Sequence, residues 1–167
     1  MKIKCINLSM LYLCLGILAV QACAKQSSSP LALRVLESRV HSSMHEPRLK
    51  FLAISDRDRF TALYHSLHQM TLPMPALPDV DFASQHVLVA FMGQKSTAGY
   101  AIRFGDKVVK RDETLEVTVH QDTPSEGALL AQMTTSPYVM AAVDQGAYTQ
   151  VRFIDAEGDT LDEISVK

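Results

Sequence analysis

Val87-Leu88-Val89-Ala90-Phe91-Met92 is an unbroken apolar run that stops at Gly93. The stretch Gly93-Gln94-Lys95-Ser96-Thr97-Ala98-Gly99-Tyr100 then leads into Ala101-Ile102-Arg103-Phe104. A run this short, rich in β-branched and aromatic residues and closed by glycine, predicts a strand buried on both faces. The alternation from Tyr100 to Phe104 predicts a second, half-buried strand. The connection is too long for a two-residue hairpin, and it reads as a projecting loop.

The same pattern repeats outward from this centre. Downstream, Gly105-Asp106-Lys107 reads as a turn into Val108–Arg111, and Asp112-Glu113 as a turn into the cleanly alternating Leu115–His120. Residues 121–127 read as a loop. Strands are expected within 133–143, at 149–154 and near 161–166. Upstream, Leu31–Val35 and Leu49–Ile54 read as strands, with the polar Ser42–Pro47 segment between them. Phe60, Leu63, Tyr64 and Leu67 lie at i, i+3, i+4 and i+7, which is one apolar stripe of a helix. The spacing predicts a helix over 56–69, with Ser55 as cap and Asp58 three residues on. Pro73, Pro75 and Pro78 close it. Short strands joined by Gly, Asp and Pro turns predict a mainly β (α+β) domain, an antiparallel sandwich or barrel-like fold with one N-terminal amphipathic helix. The strands lie too close in sequence for crossover helices, which argues against a doubly wound parallel sheet.

The first 22 residues read differently. A basic start with Lys2 and Lys4 precedes an apolar run from Ile6 to Val20, which suits a signal-peptide core and is short for a membrane span of about 20 residues. Val20-Gln21-Ala22-Cys23 resembles the bacterial lipobox, with Cys23 as the lipidated residue. Two other readings are an ordinary signal peptide cut after Ala22 and an uncleaved anchor. The resemblance implies a cysteine carrying two or three palmitate-type chains, which anchor firmly where one chain anchors weakly. Ala24 is not the Asp that resembles an inner-membrane retention signal, so a bacterial outer membrane facing the periplasm is the expected location. Residues 23–30 form a Ser-rich tether, and 31–167 are read as one domain. Loss of residues 1–22 removes two of the 16 basic residues and none of the 18 acidic ones, so the mature charge is −4. This balance carries no electrostatic footprint for nucleic acid. Cys23 is the only mature cysteine, which leaves stability to the core rather than to a disulfide.

Chemistry-bearing motifs are sparse. No G-x-S-x-G elbow and no phosphate loop is present, so no catalytic residue and no cofactor is assigned, and the chain is read as non-enzymatic. His41 with His45, and His65 with His68, have spacings that can place two imidazoles on one metal where the backbone is helical, and 41–45 reads as a polar turn rather than a helix. All four read as surface histidines. Met70 and Met74, in the Pro-rich loop, offer soft contact surface. The most specific candidate for partner binding is the loop carrying Gln94, Lys95, Ser96, Thr97, Gly99 and Tyr100, where hydroxyls adjoin an aromatic anchor.

The string 79–104, the upstream Ser42–Leu67 with Glu46-Pro47-Arg48, and the downstream Thr123-Pro124, Gly127 and Ser136-Pro137-Tyr138-Val139 together resemble the C-terminal domain of the PrcB family of protease-complex subunits. Family members often carry a Trp on the helix, where this chain has Leu63-Tyr64. The resemblance implies a secreted or lipid-anchored accessory protein, sometimes associated with a surface protease, and implies no catalysis. Ser96-Thr97-Ala98-Gly99-Tyr100 also resembles, with an extra Ala98, one loop of the chagasin-like protease inhibitors. The expected function is a non-enzymatic, protein-binding or protease-associated envelope module acting through 93–100. The alternative is an envelope metal- or small-ligand-binding protein using His65, His68 and the Pro-rich loop.

Overall fold

The computed structural model describes residues 30–166, apart from the side chains of Pro30 and Lys107. The signal segment, Cys23 and the tether up to residue 29 lie outside the described residues. The described chain runs β1 (Pro30–Arg39), β2 (Lys50–Ile54), α1 (Arg57–His68), β3 (Gln85–Phe91), β4 (Ala101–Arg111), β5 (Thr114–Asp122), β6 (Tyr138–Asp144), β7 (Gln150–Ile154) and β8 (Thr160–Ser165). The eight strands form one sheet in the order β2-β3-β6-β1-β4-β5-β7-β8. It curls until β2 and β8 come back into contact. The fold is therefore mainly β and barrel-like with one covering helix, as the strand pattern predicts.

Every pairing is antiparallel except β5 with β7. That parallel pair needs no crossover helix, because the chain crosses to the far side of the sheet as β6 and returns. Burial follows the residue pattern. On β3, Leu88 and Ala90 face the barrel interior with Phe104, Leu115, Val117 and Phe153. Val87, Val89 and Phe91 face α1 through Phe60, Tyr64 and Leu67. This two-sided burial is why the run is continuously apolar. Phe51 stacks on Phe153 inside the barrel, with ring centroids 4.3 Å apart.

Three local expectations are corrected. Gly105-Asp106-Lys107 is not a turn, because β4 runs through it. Phe104 pairs with Val119 and Val108 with Val117, so three β4 residues oppose Thr118 alone, a bulge larger than the ordinary two-against-one kind. The helix cap is Asp56 rather than Ser55. Asp56 is extended (φ −136°) and its Oδ1 accepts from the Arg59 amide at 2.8 Å, because the helix starts one residue later than the apolar stripe suggests. Pro30 belongs to β1 rather than to the tether, pairing with Val109.

Register fixes two poles. At one, Arg39 pairs with Tyr138, Phe91 with Tyr138 and Lys50 with Phe91. At the other, Ile54 pairs with Val87, Gln85 with Asp144 and Pro30 with Val109. β1 spans the distance, roughly 30 Å at about 3.3 Å per residue.

The Pro30 pole holds a pH-sensitive contact. The Tyr148 hydroxyl donates to the Asp144 carbonyl at 3.2 Å, so it accepts from His86 Nδ1 at 2.9 Å. Burial, and then the Asp144 charge, push the Tyr148 phenol up to about 12. Burial also holds His86 below its ordinary 6.5. The unfolded chain therefore binds more protons between the two His86 values. Its contribution to stability is complete above about 6.5 and is lost as pH falls through the lower, folded value. His86→Gln keeps a donor for Tyr148 and removes the titration. Melting curves at pH 7.5 and 5.5 should show a larger loss for the wild type than for the variant, and equal losses would refute this assignment.

Candidate functional site

The Arg39 pole gathers the loop 93–100, the segment 40–48, the chain after α1 and the segment 123–137. The loop does not stand clear of the body as a projecting loop would. The Gln94 amide donates to the Glu46 carbonyl at 2.9 Å, and Lys95 and Thr135 exchange both backbone hydrogen bonds at 2.9 Å. The Ala98 amide donates to the Ala131 carbonyl at 3.1 Å, and the Thr135 hydroxyl donates to the Thr97 carbonyl at 3.1 Å. Both glycines have positive φ, +83° at Gly93 and +93° at Gly99. A Cβ at Gly99 would sit 3.0 Å from Pro124 Cγ. The loop thus lies flat between two neighbouring segments.

This geometry sorts the predicted partner-binding residues. Gln94 and Ser96 are exposed and, with Lys95 and Thr134, line a shallow depression of about 310 Å³. Tyr100 is half-buried and packs against the barrel core. Its ring lies 5.4 Å from Lys95 Nζ, a cation–π distance. Thr97 is half-buried and presents its carbonyl inward, whereas Gly99 is exposed. The loop therefore exposes Gln94, Ser96 and Gly99, with Lys95, Thr97 and Tyr100 half-buried beside them.

Beside the loop lies a polar network that the residue pattern did not reveal. His68, 1% exposed, places Nε2 2.9 Å from a Glu37 carboxylate oxygen. Because that oxygen accepts, Nε2 carries the proton. The Tyr138 hydroxyl stands 3.4 Å from the same nitrogen, and Arg39 Nε donates to the other Glu37 oxygen. Burial, then the Glu37 charge, hold the Tyr138 phenol well above its usual range. Glu37 and Tyr138 share one nitrogen of His68, so the ring cannot relay a proton between them as a catalytic triad does. The network instead fixes the end of β1. There Arg39, Val40, His41, His68 and Ala101 help to line a cavity of about 410 Å³.

Residues 86–144 match the family model described as PrcB C-terminal. The PrcB match runs from β3 through β6. It takes in the whole 93–100 loop, Pro124, Gly127 and the Ser136-Pro137-Tyr138 step, all of which carried the resemblance. Residues 42–67 and 79–85, which also carried it, lie outside the match, as do Glu37 and His68. Neither a curated protein nor a solved structure matches the chain.

The histidine reading is corrected. His68 is buried against Glu37, while His65 is exposed on α1, so the two do not face one metal. Among the described residues no three His, Cys, Asp or Glu side chains converge on a metal position. The signal for His68 was present in the spacing: it lies eight residues after Phe60 and four after Tyr64, on the apolar stripe itself. The Pro-rich loop divides. Tyr64 donates to the Ala76 carbonyl at 3.0 Å and Val80 is buried, whereas Met70 and Leu72 are 82% and 93% exposed. Met133, at 43% exposure, is outside the strands and does not fill the core, whereas Met140 does.

Proposed function

We propose that this protein is a lipid-anchored envelope protein that docks another envelope protein, in particular a protease, through Gln94, Lys95 and Ser96, without catalysing a reaction itself. One observation carries the reading. The 93–100 face lies at the Arg39 pole, a strand's length from Pro30, where the chain leaves toward Cys23. A chain tethered through Cys23 presents that face away from the bilayer, where a partner can reach it. The PrcB match over this same loop supports the protease-associated reading. The flat, hydrogen-bonded loop supports binding as well, since a pre-ordered surface loses little conformational entropy on association.

The test places a photo-crosslinking amino acid at Ser96 or at Glu113 of the full chain, in cells of the source organism. Glu113 is exposed in the hairpin at the Pro30 pole. The expected result is an adduct containing a protease from the Ser96 position and none from Glu113. Equal adducts, or none, would overturn the docking face, and an adduct without a protease would overturn the choice of partner. Palmitate labelling that persists in Cys23→Ser would overturn the anchor.

A further inference from the structure

We propose that His41, His45 and Met70 form a binding site for a soft monovalent metal ion, Cu(I), independent of the docking face. The segment 41–45 and the chain just after α1 are sewn together at one residue. The Ser43 amide donates to the Leu67 carbonyl at 2.9 Å, and the Ser43 hydroxyl accepts from the Met70 amide at 3.2 Å. Ser42 and Thr71 add local hydrogen bonds, to the Met44 carbonyl at 2.5 Å and to the His68 carbonyl at 2.8 Å. These bonds hold both segments around one depression of about 310 Å³, lined by His41, His45 and Met70 among others.

The donor chemistry selects the ion. His45 Nδ1 lies 3.1 Å from the Ser43 carbonyl. A carbonyl only accepts, so Nδ1 carries the proton and Nε2 is left with its lone pair. This is the orientation a metal-bound imidazole takes when its second nitrogen is anchored. His41 is exposed at the mouth of the same depression. Met70 places a thioether there at 82% exposure, an arrangement that core packing does not explain. No carboxylate lines the depression. Two neutral imidazoles and a thioether are a poor set for calcium, magnesium or manganese, which want oxygen, and a good one for Cu(I), which thioether sulfur favours. Among the described residues no three His, Cys, Asp or Glu side chains converge on a metal position; the third donor of the proposed site is the Met70 thioether.

The test uses the full chain with its cysteines blocked by N-ethylmaleimide, since thiolates would otherwise capture the metal. Cu(I), kept reduced with ascorbate, is titrated against bicinchoninate as competitor. One equivalent per chain is expected to be withdrawn from the competitor. Met70→Leu, which keeps the volume and removes the sulfur, should weaken Cu(I) at least tenfold and leave Zn(II) binding unchanged. His41→Ala with His45→Ala should abolish retention while the melting temperature stays within about 2 °C, because both rings are exposed. Failure of the wild type to compete, or variants that retain Cu(I) as the wild type does, would overturn the site. X-ray absorption of the loaded wild type should show sulfur scattering that Met70→Leu lacks, and a spectrum with nitrogen and oxygen alone would overturn the thioether ligand. None of these readouts depends on a protein partner.

Discussion

Gly93→Ala is expected to lower the melting temperature by about 10 °C. Gly93 sits at φ +83°, a region that costs a residue with a Cβ roughly 1–2 kcal/mol. The added Cβ would also stand 2.9 Å from the Arg48 carbonyl carbon and 3.0 Å from its Cα. Those are backbone atoms that no rotamer change can move away. Overpacking of this kind costs about 1–3 kcal/mol. The sum, about 3 kcal/mol, converts to roughly 10 °C for a domain of this size. Gly127→Ala is the control. Its φ is +75° but nothing lies within 4 Å of a Cβ there, so only the backbone cost of about 1–2 kcal/mol remains. Thermal melts that show equal losses for the two variants would mean that the 48–93 approach is not the constraint. The same contact sets where the loop leaves the sheet, so Gly93→Ala should also weaken any Ser96 crosslink.

Glu37→Ala is expected to cost about 2–4 kcal/mol, measured by denaturant unfolding. It strips the acceptor from a histidine that is 1% exposed and leaves Arg39 without its partner. The Glu37→Leu/His68→Leu double variant should cost distinctly less than Glu37→Ala alone, because an apolar pair leaves no orphaned donor. A double variant at least as damaging as the single one would show that the network is held by shape rather than by its hydrogen bonds. Glu37 is itself only 11% exposed at its side chain, so the single substitution opens little new route for water to replace the lost acceptor.

Much of the sheet was legible in the residue pattern. The two-sided burial of β3 followed from Val87–Met92, and the alternation of β5 from Leu115, Val117 and Val119, because the side-chain period of a strand is two and each face declares its solvent. The helix followed from Phe60, Tyr64 and Leu67 for the same reason at a period of 3.6. The site was less legible. Gln94, Lys95 and Ser96 were singled out as loop residues, but the loop's flatness depends on Glu46, Ala131 and Thr135, which are remote in sequence and carry no pattern of their own. His68 read as a surface residue because a histidine's hydropathy says little, although its place on the stripe pointed inward. Glu37 lies two residues past the predicted Leu31–Val35 strand and drew no reading, and its burial depends on His68 of the helix laid over the end of β1.

Local chemistry by itself determined which segments are strands, where α1 lies and which loop connects β3 to β4, since period, glycine and proline act over a few residues. Tertiary structure alone decided the sheet order, the parallel β5–β7 pair and the bulge at Gly105–Lys107, as strand pairing is chosen by partners dozens of residues away. It also decided that His41, His45 and Met70 share one depression and that the 93–100 face lies opposite Pro30. Those neighbours meet only when loops are closed by backbone hydrogen bonds such as those at Ser43, whose polar groups would be satisfied equally well by water in the unfolded chain.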